Sequence, residues 1–479
     1  MENKKYVSYE DFGAVGDGVH DDMPAIVAAH DYANEKGLPV RANDEATYFI
    51  GGKDLTATIK TSTNFGKAKF TICDLELENV GADIFRIISD YEAVPFTLDK
   101  LSHNQKKVDF PHEGTVYARV YNDEKMVYIR KGLNMNSGNP ASDCFIVDGE
   151  GNVLTDINWD YDKITRAYYF CVDDKPIVVE GGVFTTIANQ WKSEYKYHSR
   201  GMRIKRSNVT VRNLTHYVEG ELDHGAPYSG MLRVEESNNV LLENCLLTPH
   251  KTYYTESKIP GQMVGMGTYD LGFGGSINTT VRGIRQTRDI TDGTYWGLMG
   301  SNFCKNFILE DCEMSRFDAH CGVTNGAIIN CKLGFAGVNL IGFGEFTIKG
   351  TTIYRNNFVN FRTDYGSFFL GTLNIIDCTW VTSSPAADTF FYAYNTGDHD
   401  FGYKCGLPEN INIENLTILD SEESEGYINL FSDYDKDYVP GKPFEYSTTK
   451  NLKISVAKVR SGREIRISSR PEQHPYIAK

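Results

Sequence analysis

Nowhere in the 479 residues do about 18 apolar residues run together, which leaves no candidate for a membrane-spanning helix. The first nine residues, Met1 to Tyr9, are charged and lack an apolar run of leader length, so no export signal is read. No CxxC pair, Cys/His cluster of zinc spacing or acidic loop of EF-hand spacing occurs, and no metal ligands are assigned. Basic residues are the minority: 49 Lys and Arg face 64 Asp and Glu, a formal charge of -15. Such a chain repels phosphate backbones and anionic bilayers, so neither nucleic acid nor a membrane is expected as partner. Ten cysteines without a leader point to free thiols and a cytoplasmic location, or to a secreted protein if a leader has been removed. Charge is too sparse for disorder, at 24% against 41% hydrophobic and 12% aromatic residues, so a large core is expected.

What the chain does have is a repeat. From Asn208 onward, alternating apolar residues end in Asn, Asp or Gly followed by a small or apolar residue. Examples are Val209-Thr210-Val211-Arg212-Asn213-Leu214, Leu241-Leu242-Glu243-Asn244-Cys245 and Ile308-Leu309-Glu310-Asp311-Cys312. With the last residue of each unit as a marker, the series is Leu214, Cys245, Ile284, Cys312, Cys331, Thr351, Cys378 and Leu416. The markers are separated by 31, 39, 28, 19, 20, 27 and 38 residues. Short period-2 strands at such spacing cannot bury an apolar face alone and must stack, with 19 to 20 residues as the minimal coil and longer steps carrying loops. An antiparallel sandwich would need hairpin signals at each junction instead. The expected fold is therefore all-β, a right-handed parallel β-helix with its markers in an interior ladder.

Before the repeats stands Asp11-Phe12-Gly13-Ala14-Val15-Gly16-Asp17-Gly18, then Asp21-Asp22-Met23-Pro24 and an Ala-rich run to Glu35. Asp21 or Asp22 as N-cap, Pro24 in the first turn and Gly37 as stop predict a short helix with Ile26, Ala29, His30 and Ala33 on one side. Such a helix suits a lid over the open end of a coil stack. This segment resembles the opening of the pectate-lyase and polygalacturonase-like β-helix superfamily. That resemblance implies the β-helix with its capping helix, and leaves hydrolase, lyase and phage tail-spike functions open. Between Leu101 and Ile177 the pattern lapses into hairpin-like text, with Asn122-Asp123-Glu124-Lys125 and Asp148-Gly149-Glu150-Gly151 as polar turns. The organisation read is a cap and first coils over 1–100, an inserted antiparallel β subdomain over 101–177, and the main helix over 178–479.

Residues four to eight positions past each marker become neighbours on stacked coils, and polar residues gather there: Glu219 and Glu221, with Asp223 and His224 just beyond, His250 and Lys251, Arg288, Asp289 and Asp292, and Arg316, Asp318 and His320. Glycoside hydrolysis needs two carboxyl groups, and adjacent coils set Asp289 and Asp318 as that pair. His320 or His224 would either hold the acid partner in its protonation state or bind a sugar hydroxyl, and Asp223 belongs to the same set. Asp270, on the excursion between coils, either swings over the cleft or is a turn aspartate. Tyr269 and Trp296 either stack on sugar faces or pack loops onto coils. The catalytic candidates are thus Asp318, Asp289, Asp270, His320, Asp223 and His224. The substrate-binding candidates are His250, Lys251, Tyr269, Arg288, Asp292, Trp296 and Arg316. Arg362-Thr363-Asp364-Tyr365 reads as a structural ion pair. The polygalacturonase signature is absent: Asp223-His224-Gly225 only echoes its third element, and Arg203-Ile204-Lys205 matches its fourth in letters but precedes the other candidates.

The expected function is a glycoside hydrolase acting on an oligo- or polysaccharide. A polysaccharide lyase acting on uronates, with Lys251, Arg288, Arg316 or Tyr269 as working groups and calcium as an optional ion, is the alternative. A non-enzymatic, tail-spike-like glycan binder is a third reading, and an epimerase a fourth. No cofactor is expected, and the assembly is read as a monomer or homo-oligomer, with a trimer for the tail-spike reading. If Asp318 is catalytic, Asp318→Asn should end turnover and leave the thermal midpoint nearly unchanged.

Overall fold

The residue before each marker takes the left-handed backbone conformation, with φ 58° at Asn213, 54° at Asn244, 62° at Gly283, 52° at Asp311, 53° at Asn330, 59° at Gly350, 54° at Asp377 and 52° at Asn415. Asn, Asp and Gly are the residues that tolerate this region, which explains the residue types at that place in the repeat. Each such corner turns the chain from one strand into the next and sends the marker inward. All eight markers are buried. Backbone bonds stack them in line: Leu246 N–H donates to the carbonyl of Leu214, Arg285 to Cys245, Glu313 to Ile284, Lys332 to Cys312 and Thr352 to Cys331.

The computed structural model describes residues 5–192, 196–382, 388–433, 446–475 and 477. Within it the stacked coils form one 31-stranded sheet of parallel pairings, a parallel β-helix with the right-handed sense that parallel crossovers take. All ten cysteines are free. Among the described residues, no helix is long and apolar enough to cross a membrane.

The helix α1, Met23–Lys36, closes the N-terminal end with Ile26, Ala29, His30 and Ala33 buried. Asp22 holds the N-cap position without the expected side-chain bond to the helix; its carboxylate instead accepts the backbone N–H groups of Val15 (2.7 Å) and Gly16 (3.2 Å). The aspartate thereby pins the glycine-rich opening onto the start of the helix. Gly37 ends the helix at φ 64°. His30 packs against Tyr9, its Nε2 lying 3.0 Å from the Tyr9 hydroxyl, and burial pushes its imidazole down to about 3, so the lid buries it neutral.

Strands Val94–Pro95, Arg166–Cys171, Val116–Val127 and Asn139–Val147 form a separate antiparallel sheet. The turn expected at Asn122 to Lys125 is a bulge within one long strand. Asn122 pairs with Ala141 and Met126 with Pro140, so Asp123 to Lys125 loop out where Pro140 has no N–H to offer. The chain reverses later, over residues 128–138, and that segment reaches the main helix. The small sheet docks through buried polar contacts: the Tyr117 hydroxyl donates to Gly275 O (2.6 Å), Arg119 pairs with Glu236 (3.2 Å) and Lys305 with Asp143 (2.5 Å). Gly275 has φ 62°, and a Cβ there would lie 2.6 Å from the Arg119 guanidinium, so the docking requires glycine.

Candidate functional site

On one face of the helix, strands Phe85–Ile88, Met202–Lys205, Leu232–Glu235, Leu271–Gly274 and Met299–Glu310 lie side by side in parallel register. Period 2 sends Leu232 and Val234, Leu271 and Phe273, and Met299 and Ser301 inward. The outward positions run Arg233, Gly272, Gly300 in one row and Glu235, Gly274, Asn302 in the next. Glycines leave the middle of this face without side chains, and the ring of Tyr269 lies over Gly300, 3.1 Å from where a Cβ would stand. The result is a cleft of about 530 Å³. One wall comes from the inserted subdomain, with Arg130, Asn134 and Asn136. The other comes from the excursions carrying Tyr228, Met266, Tyr269 and Trp296.

At the far end of the floor, Arg316, Asp318 and His320 point outward from strand Glu313–Ile329, alternating with the core residues Phe317 and Ala319. Asp318 is fully buried and fully engaged. It accepts from Arg362 Nη1 (2.5 Å) and the Tyr269 hydroxyl (2.7 Å), and Arg316 Nη2 lies at 3.1 Å. Burial pushes its carboxyl up, but Arg362 and Arg316 outweigh that and hold it below the ordinary carboxylate range. Asp364 binds Arg362 (2.8 Å) and Arg130 (2.7 Å), so three arginines share two carboxylates. The Arg316 guanidinium also lies over the Trp296 ring at 4.6 Å. His320 places Nδ1 3.0 Å from Asn302 Oδ1 and Nε2 3.1 Å from the Tyr365 hydroxyl. Burial first, and Arg362 second, push its imidazole down to about 3, so it is neutral in the working range. A neutral imidazole accepting at Nε2 must donate from Nδ1, which matches these two partners.

Under the cleft wall lies a second, buried network. Asp270 takes His216 Nδ1 (2.7 Å) on one oxygen and faces His250 Nε2 (3.4 Å) with the other. His250 Nδ1 lies 3.0 Å from Glu221, and the ring of Tyr228 stacks on His250 at 4.9 Å. Burial alone pushes the His250 imidazole down, yet Glu221 and Asp270 outweigh it and bring it up to about 10. A folded value above the ~6.5 of a free histidine means that this contribution to stability is complete below about pH 6.5 and lost as the pH rises through the folded value. The thermal midpoint is therefore expected to fall between about pH 6.5 and 10. His250→Gln should flatten that slope, and an equally steep slope in the variant would remove His250 as its cause.

The structure brings five of the expected site residues together: Tyr269, Trp296, Arg316, Asp318 and His320. It separates the others. Asp289 is exposed and accepts from the backbone N–H and hydroxyl of Thr291 (both 2.8 Å), and Asp292 accepts from the Thr294 N–H (2.9 Å). The expected Asp289–Asp318 pair does not form, because Ala319 pairs with Ser301, so the neighbour of Asp318 on the preceding coil is near Gly300. The Asp289 segment instead folds outward, with Ile290 O resting where a Cβ on Gly334 would be. Asp270 does not swing over the cleft but locks His216 and His250 inside, and His250 faces Glu221 rather than open space. Lys251 Nζ lies 3.8 Å from the exposed Asp223, His224 is outside the cleft, and Arg288 lies over Tyr295.

Arg130, Tyr228, Arg233, Glu235 and Lys258 line the cleft without having been singled out in the sequence. One signal was present: Gly265, Gly267, Gly272 and Gly274 interrupt a β-rich stretch, the mark of a bare floor. Among the described residues, no group of three or more His, Cys, Asp or Glu converges to hold a metal ion.

No family model matches the chain. Over 108 residues it is 29% identical to a capsule KL64-specific depolymerase of Klebsiella phage P510, a match covering 20% of this chain and 11% of that protein. The chain thus spans about a tenth of the length of that curated relative. Among solved structures it is similar to the tailspike protein gp49 of Pseudomonas phage LKA1, with a TM-score of 0.53 and 13% identity over 95% of this chain and 81% of that one. It is also similar to the tailspike gp61 of Pseudomonas phage phi297, with a TM-score of 0.50 and 12% identity over 95% and 80% of the two chains. At such identities the likeness establishes one thing, that this chain shares the parallel β-helix fold of these phage tailspikes.

Proposed function

We propose that this protein binds an acidic polysaccharide in the glycine-floored cleft and cleaves it by β-elimination. The observation that carries this reading is the neutral His320 beside Arg362 and the Tyr269 phenol at the end of the floor. The cluster of Arg130, Arg316 and Arg362 carries one positive charge more than Asp318 and Asp364 compensate, and through Arg130 it faces a uronate carboxylate and neutralises it, which acidifies the C5 proton of that sugar. His320 Nε2 accepts this proton after the Tyr365 hydroxyl gives way. The electron pair forms the C4=C5 double bond, the C4–O4 bond breaks, and the leaving oxygen takes the proton of Tyr269, which solvent later restores. Burial and the Asp318 carboxylate hold the Tyr269 phenol protonated, as a donor requires.

Charge supports an acidic substrate. Arg130, Arg233, Lys258 and Arg362 line the cleft against Glu235 and Asp318, in a chain whose net charge is -15. The capsule depolymerase that the chain partly matches supports a polysaccharide as substrate class. Hydrolysis would need two carboxyl groups about 5 to 9.5 Å apart. The two cleft carboxylates stand three coil steps apart, about 14 Å along the axis, and Asp318 is held ionised between arginines. Each is already paired with arginine, so they do not fit a calcium ion, and charge neutralisation falls to the arginines.

Incubation with a panel of plant, host and microbial glycans, read by mass spectrometry, tests this. Unsaturated products from a uronate-containing glycan are expected. Products that gain water would overturn elimination in favour of hydrolysis, and binding without turnover would make the protein a glycan-binding module.

A further inference from the structure

The Arg203-Ile204-Lys205 stretch has no part in the chemistry above, yet it stands on the same face of the helix. Arg203 pairs in register with Arg86 on one side and Arg233 on the other, so three arginines stack on consecutive coils about 4.8 Å apart. Like charges directly opposite one another across strands are unfavourable. Their compensation is incomplete. Asp83 serves both Arg86 (2.7 Å) and Arg203 (3.2 Å), and Glu235 serves Arg233 with Arg203 at 3.9 Å. Alongside, Lys205 (2.6 Å) and Arg119 (3.2 Å) share Glu236, so five cations face three carboxylates. Arg203 Nε is buried without a well-aligned hydrogen bond. The row leads straight on to Gly272 and Gly300 in the cleft floor.

We infer that Arg86, Arg203 and Arg233 form a binding track for a polyuronate chain that runs along the helix axis into the cleft. An extended glycan advances by nearly one strand spacing per sugar, so the carboxylates on its protein-facing side come within reach of the arginine row. The track holds the part of the polymer on the N-terminal side of the reacting sugar. This inference rests on the acidic-substrate half of the proposed function.

Affinity electrophoresis tests it, in gels containing alginate, a linear chain with a carboxylate on every sugar, or neutral dextran. The wild-type protein should be retarded by alginate and not by dextran. The Arg86→Gln/Arg203→Gln double variant should bind alginate at least about tenfold more weakly, the loss of one charge-assisted hydrogen bond. The double lysine variant should keep most of the affinity, and thermal melting of each variant checks that the fold survives. Equal retardation of the glutamine variant and wild type would overturn the track and leave the acidic cleft standing. No retardation of the wild type by alginate, or equal retardation by dextran, would also overturn the track, while the glycan panel decides the cleavage reading independently.

Discussion

Replacing Asp318 with alanine is expected to lower the stability of the surrounding coils by about 3–5 kcal/mol and to end cleavage. The carboxylate is fully buried, with Arg362 and Arg316 as its cationic partners and the Tyr269 hydroxyl as a third donor. Its removal leaves guanidiniums in a low-dielectric site with only Asp364 to share, and that desolvation penalty dominates over the lost attraction. Asp318→Asn, which from sequence should leave the thermal midpoint unchanged, is expected to lower it too, because an amide cannot compensate either arginine. Urea unfolding monitored alongside activity separates the cases. A variant with the wild-type midpoint and no turnover would restore Asp318 as a catalytic carboxylate in the original sense. The pH dependence has a definite sign. The folded pKa is depressed, so the contribution is present above the ~3.9 of a free aspartate and is lost only as the pH falls below that range.

His320→Ala is expected to lower kcat by about 10²–10⁴-fold, the usual worth of a positioned proton acceptor. The stability cost should stay near 1–2 kcal/mol, since the two bonds lost, to Asn302 and Tyr365, are modest exchanges with water. The pH profile carries the sharper signature. With its imidazole pushed down to about 3, His320 is unprotonated throughout the neutral and mildly acidic range. The acid limb of kcat/KM, which reports the free enzyme, should therefore lie well below the ~6.5 of an ordinary histidine. A limb near 6.5, or a variant as fast as wild type, would remove His320 from the reaction. A bound uronate carboxylate stabilises the imidazolium, so the limb of kcat should lie above that of kcat/KM.

The contrast between these two residues shows why part of the site escaped sequence reasoning. Asp318 and His320 were both singled out as polar residues past the Cys312 marker, but their roles depend on partners far along the chain. Arg362 lies 44 residues from Asp318 and sits at the start of the Thr363–Tyr365 turn. The Arg362–Asp364 pair could be read locally because the two residues are neighbours. That the same arginine fixes the charge state of Asp318 could not. Asp289 failed as its partner because the polar residues past a marker need not stay in register: that segment leaves the stack and caps its own turn.

The coils themselves were determined by sequence alone. A left-handed corner selects Asn, Asp or Gly at one position, and the inward marker after it must be small or apolar. These are local steric demands, so they leave a repeat visible in the letters. The lid helix is equally local, written in Pro24 and Gly37. The cleft was decided by tertiary structure. Its floor exists because loop lengths bring Gly272 and Gly300 into register between Arg233 and Asp318, and one wall comes from the 128–138 segment, whose arrival depends on a bulge opposite Pro140. Whether a polar residue is buried, paired or neutral follows from which coils stack beside it, and that is a property of the assembled helix rather than of any one segment.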